Sequence, residues 1–237
     1  MSSLPILMYH NVISDKHKSE GLCISTDKLE EQFKYLNKNK YTTYHLSELQ
    51  NLKTISQKSV ILTFDDVTKN QMEFAIPLLL KYRLKATFFI PFKYVGGFDD
   101  WNSGSESIMT IDELKAISSN IELGYHSFAH RNFEKISLEE AQSDFELSEA
   151  FVVENQLNVF RAIAYPYGKY PKKVSTEKEA FFKVLEKNKM CFALRIGNRV
   201  SKFPFKDKYE IQRIDIKGED SLLKFKLKLK FGKLKLF

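Results

Sequence analysis

The sequence predicts an α/β fold in which seven strands alternate with helices and close into a single-domain barrel. Three observations carry this. Short apolar, β-branched runs recur seven times, helical stretches with start signals lie between them, and no linker rich in Pro, Gly or Ser divides the 237 residues. Strand–helix alternation requires parallel strands joined by crossover helices. Seven such units in a chain of this length suit a barrel. An open doubly wound sheet shows the same alternation, and spacing alone does not separate the two.

The expected strands run over residues 5–9, 59–64, 86–91, 121–125, 160–165, 190–196 and 209–216. Near-continuous apolar character in Val60-Ile61-Leu62-Thr63-Phe64 and Ala86-Thr87-Phe88-Phe89-Ile90 fits strands buried on both faces. Between them, Thr110…Glu113, Ser137…Glu140 and Thr176…Glu179 match the pattern in which a hydroxyl and a carboxylate cap a helix reciprocally. Leu29, Phe33 and Leu36 share one helical face, as do Leu138, Ala141, Phe145 and Val152.

Composition narrows the function. With 43% apolar and 28% charged residues the chain reads as globular, and no apolar run could span a bilayer. The first ten residues lack the basic start and long apolar core of a signal peptide, which points to the cytoplasm or to a leader already removed. Two cysteines, Cys23 and Cys191, are too few for a disulfide framework. The net charge is +7, but residues 221–237 hold six lysines and no acid, leaving +1 for the rest. That concentration at one end argues against a nucleic-acid partner and for an uncharged substrate.

The basic end is expected to form a separate tail, 221–237, after a domain of residues 1–220. From Lys224 to Phe231 lysine alternates with Phe or Leu, a period of two that reads as a strand. It is either a solvated extension or a membrane-surface contact at about 1 kcal/mol per lysine.

Polar residues gather where the expected strands end, the face that carries chemistry in such barrels. They are His10, Asp65-Asp66, Asp100-Trp101, His126…His130 and Tyr165-Pro166-Tyr167-Gly168. Adjacent aspartates after a buried strand read as a metal ligand beside a general base, or as a helix N-cap with a solvated neighbour. The spacing His126-x-x-x-His130 brings two imidazoles to one side of a turn, a pair suited to a borderline metal such as zinc or to a purely structural role. Trp101 either stacks on a sugar face or caps the core.

Together these segments resemble the polysaccharide deacetylase family, also known as the NodB-homology or carbohydrate esterase family 4 group. Thr63-Phe64-Asp65-Asp66 is similar to its first motif, His126-Ser127-Phe128-Ala129-His130 to its second, and Tyr165-Pro166-Tyr167-Gly168 to its third. The resemblance implies a distorted (β/α)7 barrel and a divalent metal, Zn2+ or else Co2+, Ni2+ or Mn2+. It implies hydrolysis of N-acetyl groups on the amino sugars of a glycan, and a membrane contact by the basic tail would suit a lipid-linked saccharide as substrate. Carried onto matching positions, Asp65 is the general base, Asp66, His126 and His130 hold the metal, and Pro166 and Tyr167 join Trp101 in binding substrate.

Two departures stand out. Ala164 occupies the place of an arginine in the family's third motif, and Arg161 is out of phase to replace it. No histidine follows His130 to serve as the late acid. Met8-Tyr9-His10-Asn11-Val12 is similar to the start of the poly-N-acetylglucosamine deacetylase subgroup, which implies His10 as the acid; a packed core histidine is the alternative reading. Other acyl groups, a cyclic amide, or a sugar-binding relative without catalysis remain the competing functions.

Overall fold

Alternation within the second strand explains why a barrel forms. In this computed structural model, which describes residues 1–173 and 175–233, Val60, Leu62 and Phe64 point outward into a cluster shared with the helices. Ile61 points inward, where it meets Ile6, Phe89, Ala162, Ala164, Leu194 and Ile211. A strand apolar on both faces must be covered on both, and closing the sheet on itself covers the inner one.

All seven expected strands are present: β1 (Ile6–Tyr9), β2 (Ser59–Asp65), β3 (Ala86–Ile90), β4 (Ile121–Tyr125), β5 (Val159–Ala164), β6 (Phe192–Ile196) and β7 (Ile211–Asp215). They pair in parallel in the order β1-β7-β6-β5-β4-β3-β2, and β2 returns to β1. The result is a closed, distorted (β/α)7 barrel and a single domain. Two irregularities distort it. The seam between the first and last strands holds only two residue pairs, Leu7↔Ile214 and Met8↔Asp215. The β4–β5 register shifts between Leu123 and Tyr125, beside Gly124, where a Cβ would come within 2.7 Å of the Phe89 ring.

The helices are α1 (Thr26–Lys38), α2 (Ile76–Lys81), α3 (Ile111–Lys115), α4 (Leu138–Glu154), α5 (Ser175–Lys187) and α6 (Leu222–Phe231). Thr110 and Ser137 form the two reciprocal caps expected of them. Thr176 does not: α5 begins at Ser175, so the hydroxyl already lies inside the helix.

Two further expectations are corrected. Alternation fails between β6 and β7, where residues 197–210 form no helix. That stretch contains Pro204 and lacks an apolar stripe of helical period. Its Ser201–Phe203 strand runs antiparallel to Ser2–Leu4 instead. The lysine-rich segment is also a helix, not a strand. The Ser221 hydroxyl caps α6 by accepting from Lys224 N–H, and Phe225 and Leu229, four residues apart, are its buried apolar contacts. Phe225 meets Tyr35 of α1 edge-on. Lys228 is buried too, and its ammonium donates to the Asp215 carbonyl (2.6 Å) and to the Asp220 carboxylate. Lys224 pairs with Asp220, and Lys226 lies over the Tyr35 ring. Residues 234–237 of the expected tail lie outside the described residues. Among the described residues no helix is long and apolar enough to cross a membrane.

Candidate active site

A cavity of about 370 Å3 opens at the carboxyl ends of the barrel strands. His10, Asp65, Asp66, Trp101, His126, His130 and Tyr167 all line it, joined by Arg213. A larger, more open hollow of about 630 Å3 lies at the opposite end, against Leu49, Phe192 and Phe203. Size does not decide between them. Only the smaller cavity has ionisable groups converging in a buried setting, the mark of a chemical site.

Asp65 ends β2 on its inward side and is 2% exposed. A carboxylate so placed needs a partner, and Arg213 supplies it. Its two terminal nitrogens donate to the two carboxylate oxygens at 2.6 and 2.8 Å, a bidentate fork. Arg213 itself is fully buried on β7, packed over the Phe89 ring, and reaches Thr63 Oγ1 at 3.3 Å. Burial pushes the Asp65 carboxyl up, but the Arg213 guanidinium, with His126 and His10 nearby, holds it well below the usual carboxylate range. The group is therefore ionised at neutral pH.

Asp66 has the opposite character. Burial raises its carboxyl well above the ordinary value, and the charges of Asp65 and Asp99 push further in the same direction. Among the described residues its Oδ1 finds no hydrogen-bond donor. Instead, Nε2 of His126 and Nε2 of His130 each stand 3.5 Å away. Ligand atoms about 2.1 Å from one tetrahedral ion stand roughly 3.4 Å apart, so the spacing suits a shared cation. His126 Nδ1 donates to the Ala164 carbonyl at 2.7 Å, which leaves the Nε2 lone pair facing Asp66. Burial lowers the pKa of both imidazoles and keeps them neutral. Two neutral nitrogens and one orphaned carboxylate oxygen fit a divalent metal.

His10 follows β1, and its Nε2 is 3.6 Å from Asp65 Oδ2. Burial pulls its pKa down to about 4, against the attraction of Asp65. Trp101 stacks on the His130 ring, with centroids 4.3 Å apart and planes inclined by 19°, and Tyr167 meets the same ring edge-on at 4.8 Å. Pro166 is the exception among the expected site residues. It is buried and does not line the cavity; its place at the head of a short turn directs it inward while Tyr167, 51% exposed, faces out.

The backbone here is strained. Asp66 (φ 80°), Val67 (φ 45°), Ser127 (φ 68°), His130 (φ 51°) and Tyr167 (φ 58°) all adopt the left-handed region. Side chains other than glycine avoid it, at a cost of roughly 1–3 kcal/mol each. Hydrogen bonds from elsewhere hold these turns, and two of the groups involved escaped the sequence reading. Gln71 Nε2 donates to the carbonyls of His10 (3.0 Å) and Asp65 (2.6 Å). Asp144, on α4, accepts from the turn that joins the two histidines. Arg213 was missed as well, although an arginine inside Ile211-Gln212-Arg213-Ile214 is a visible anomaly in an apolar strand. Arg161 pairs with Glu149 on the barrel exterior and takes no part.

Comparison with known proteins bears on the family and the fold. The polysaccharide deacetylase family model matches residues 53–190. YxkH of Bacillus subtilis (strain 168), provisionally named a polysaccharide deacetylase, is 28% identical over 174 residues, which are 71% of this chain and 58% of YxkH. The poly-β-1,6-N-acetyl-D-glucosamine N-deacetylase of Staphylococcus epidermidis is 22% identical over 231 residues, covering 91% of this chain and 75% of that protein. In fold, the Streptococcus pyogenes deacetylase PplD superposes with a TM-score of 0.79 at 21% identity, covering 98% of this chain and 99% of PplD. With more than half of its length matched by the family model, the chain belongs to the polysaccharide deacetylase family.

Proposed function

We propose that the chain is a metal-dependent hydrolase that removes acetyl groups from the amino sugars of a glycan. One observation carries the reading. Asp66, His126 and His130 converge as a donor set beside a carboxylate that Arg213 keeps ionised. A divalent metal on that donor set, zinc or else cobalt, nickel or manganese, would supply Lewis-acid polarisation of the acyl oxygen and acidify a water.

The chain's own groups do the rest. Asp65 takes a proton from the attacking water as its oxygen adds to the carbonyl carbon. Arg213 fixes the aim of that carboxylate. His10 is neutral at rest, gains a proton across its 3.6 Å contact with Asp65, and passes it to the nitrogen as the C–N bond breaks. Acetate and a free amine result. The turn at Tyr167 borders the cavity and is assigned as the second support for the oxyanion, where one good donor is worth about 3 kcal/mol. Trp101, stacked on His130, offers its remaining surface to the sugar.

The test is acetate release from N-acetylglucosamine oligomers by metal-stripped protein, with and without Zn2+, Co2+, Ni2+ or Mn2+. Metal-dependent release is expected. No release with any of the four, despite stoichiometric binding, would move the reading to another acyl group.

We further propose that the saccharide is presented at an anionic lipid surface, with α6 as the contact. The observation behind it is that Leu223 and Phe231 are 68% and 52% exposed beside exposed Lys230 and Lys233. Lys224, Lys226 and Lys228 are engaged within the fold. Co-sedimentation with phosphatidylglycerol vesicles should fall when Leu223 and Phe231 are both replaced by serine. Equal binding of the two proteins ends the idea.

A further inference from the structure

The turn that carries both histidine ligands has little structure of its own. Ser127 and His130 take positive φ, and among the described residues no backbone carbonyl outside the regular elements accepts from the amides between them. The chain is pinned from two directions. On the β3 side, His126 N–H donates to the Ile90 carbonyl (2.9 Å), and Lys93 N–H donates to the Phe128 carbonyl (2.8 Å). On the α4 side the turn between the histidines is held by the Asp144 side chain, and Arg131 just beyond it pairs with Glu140.

Asp144 is 3% exposed and takes three donors from this turn: Ser127 Oγ at 2.8 Å, Phe128 N at 2.8 Å and Ala129 N at 3.4 Å. Ser127 Oγ in turn accepts from Arg131 N at 3.0 Å, so residues 127–131 are drawn around one carboxylate. A buried carboxylate on the apolar stripe of a helix, between Ala141 and Phe145, opposes the packing role of that face. Its position makes sense as a clasp on the turn.

We propose that Asp144 is the positioning residue of the two-histidine ligand pair, holding the 127–129 backbone so that both Nε2 atoms face Asp66. This rests on the metal site proposed above. A group that orients ligands in this way is worth about 10- to 100-fold in metal affinity. Asp144→Ala removes three acceptor contacts and leaves two partly buried amides unpaired. Asp144→Asn keeps one oxygen for an amide, and the Ser127 hydroxyl can rotate to accept from the new NH2 group, so a partial rescue is expected.

The test is titration of metal-free protein with Co2+, read by visible absorption, with folding checked by circular dichroism. Ser148→Ala serves as the control, since the Ser148 hydroxyl donates to the Asp144 backbone carbonyl on the same buried helix face and does not touch the turn. Asp144→Ala should weaken Co2+ binding about 10- to 100-fold and Asp144→Asn less, while Ser148→Ala lowers Tm and leaves the affinity unchanged. If Asp144→Ala does not fold, Asp144→Asn and Ser127→Ala carry the test, and both should bind Co2+ more weakly. Wild-type affinity in the Asp144 variants, or an equal loss in Ser148→Ala, overturns the proposal. A wild-type protein that takes up no Co2+ overturns the metal reading itself, a different result.

Discussion

The two ends of this barrel are built from the same strands on opposite terms. At the amino end the inward positions are apolar: Leu4, Ile6, Ile61, Leu194, Ile211 and Phe203 fill the interior with Leu46 and Leu49 beneath them. At the carboxyl end the same inward parity continues with different chemistry. Along β2 the inward series is Ile61, Thr63, Asp65, and along β7 it is Ile211, Arg213. Backbone strain also concentrates at this polar end. One period-two pattern thus delivers packing below and a charged site above, and the lower layer stabilises what the upper layer costs.

Substitutions at each end should separate the two roles. The largest effect is expected from Asp65→Asn, which removes the proposed base and leaves Asp66, His126 and His130 in place. Acetate release should fall by about 10²–10⁴-fold with Co2+ uptake retained; normal turnover would show that Asp65 is not the base. Next is Arg213→Met, which strands a buried carboxylate and should destabilise the protein by about 3–5 kcal/mol in denaturant unfolding. The double change Asp65→Asn with Arg213→Met should cost clearly less than the sum of the single changes, because neither partner is then left alone. Additive losses would mean that the pair is not the unit described here.

Ile61→Ala probes the lower layer. A loss of about 2–5 kcal/mol is expected from the cavity it leaves, with Co2+ affinity unchanged in the folded protein. A parallel loss of affinity would show that the two ends are not separable. The smallest effect concerns pH. In the metal-free protein, burial lowers His10 from 6.5 to about 4. Between those values the unfolded chain binds a proton that the folded one does not, so stability is full above about 6.5 and declines as the pH falls toward 4. His10→Gln should flatten that part of a Tm-versus-pH profile; an unchanged slope would place the titration elsewhere.

Those two regions also differ in how far they could be read from the sequence. The strands were legible because runs such as Val60–Phe64 are apolar on both faces, and residues 121–125 matched at both ends. Asp65, Asp66, His126 and His130 were legible because their spacing is local. What failed depends on side-chain contacts that the local pattern does not show. Arg213 meets Asp65 across 148 residues, and the arginine missing at position 164 gave no hint of where another would be. Asp144 serves a turn 16 residues before it. In α6 the alternating lysines suggested a strand because nothing local shows that Asp215 and Asp220 receive Lys228. Once that charge is paired, Phe225 and Leu229 can dock as a helix.

The seam between β1 and β7 gives the site an order of completion. Every proposed metal donor lies within the first 130 residues, on or just after β2 and β4, whereas the counter-charge for Asp65 is 213 residues along. A ribosome releases the groups proposed to hold an ion long before it releases the arginine that partners Asp65. The groups proposed to cleave an amide are complete only when the final strand closes against the first and brings Arg213 to Asp65.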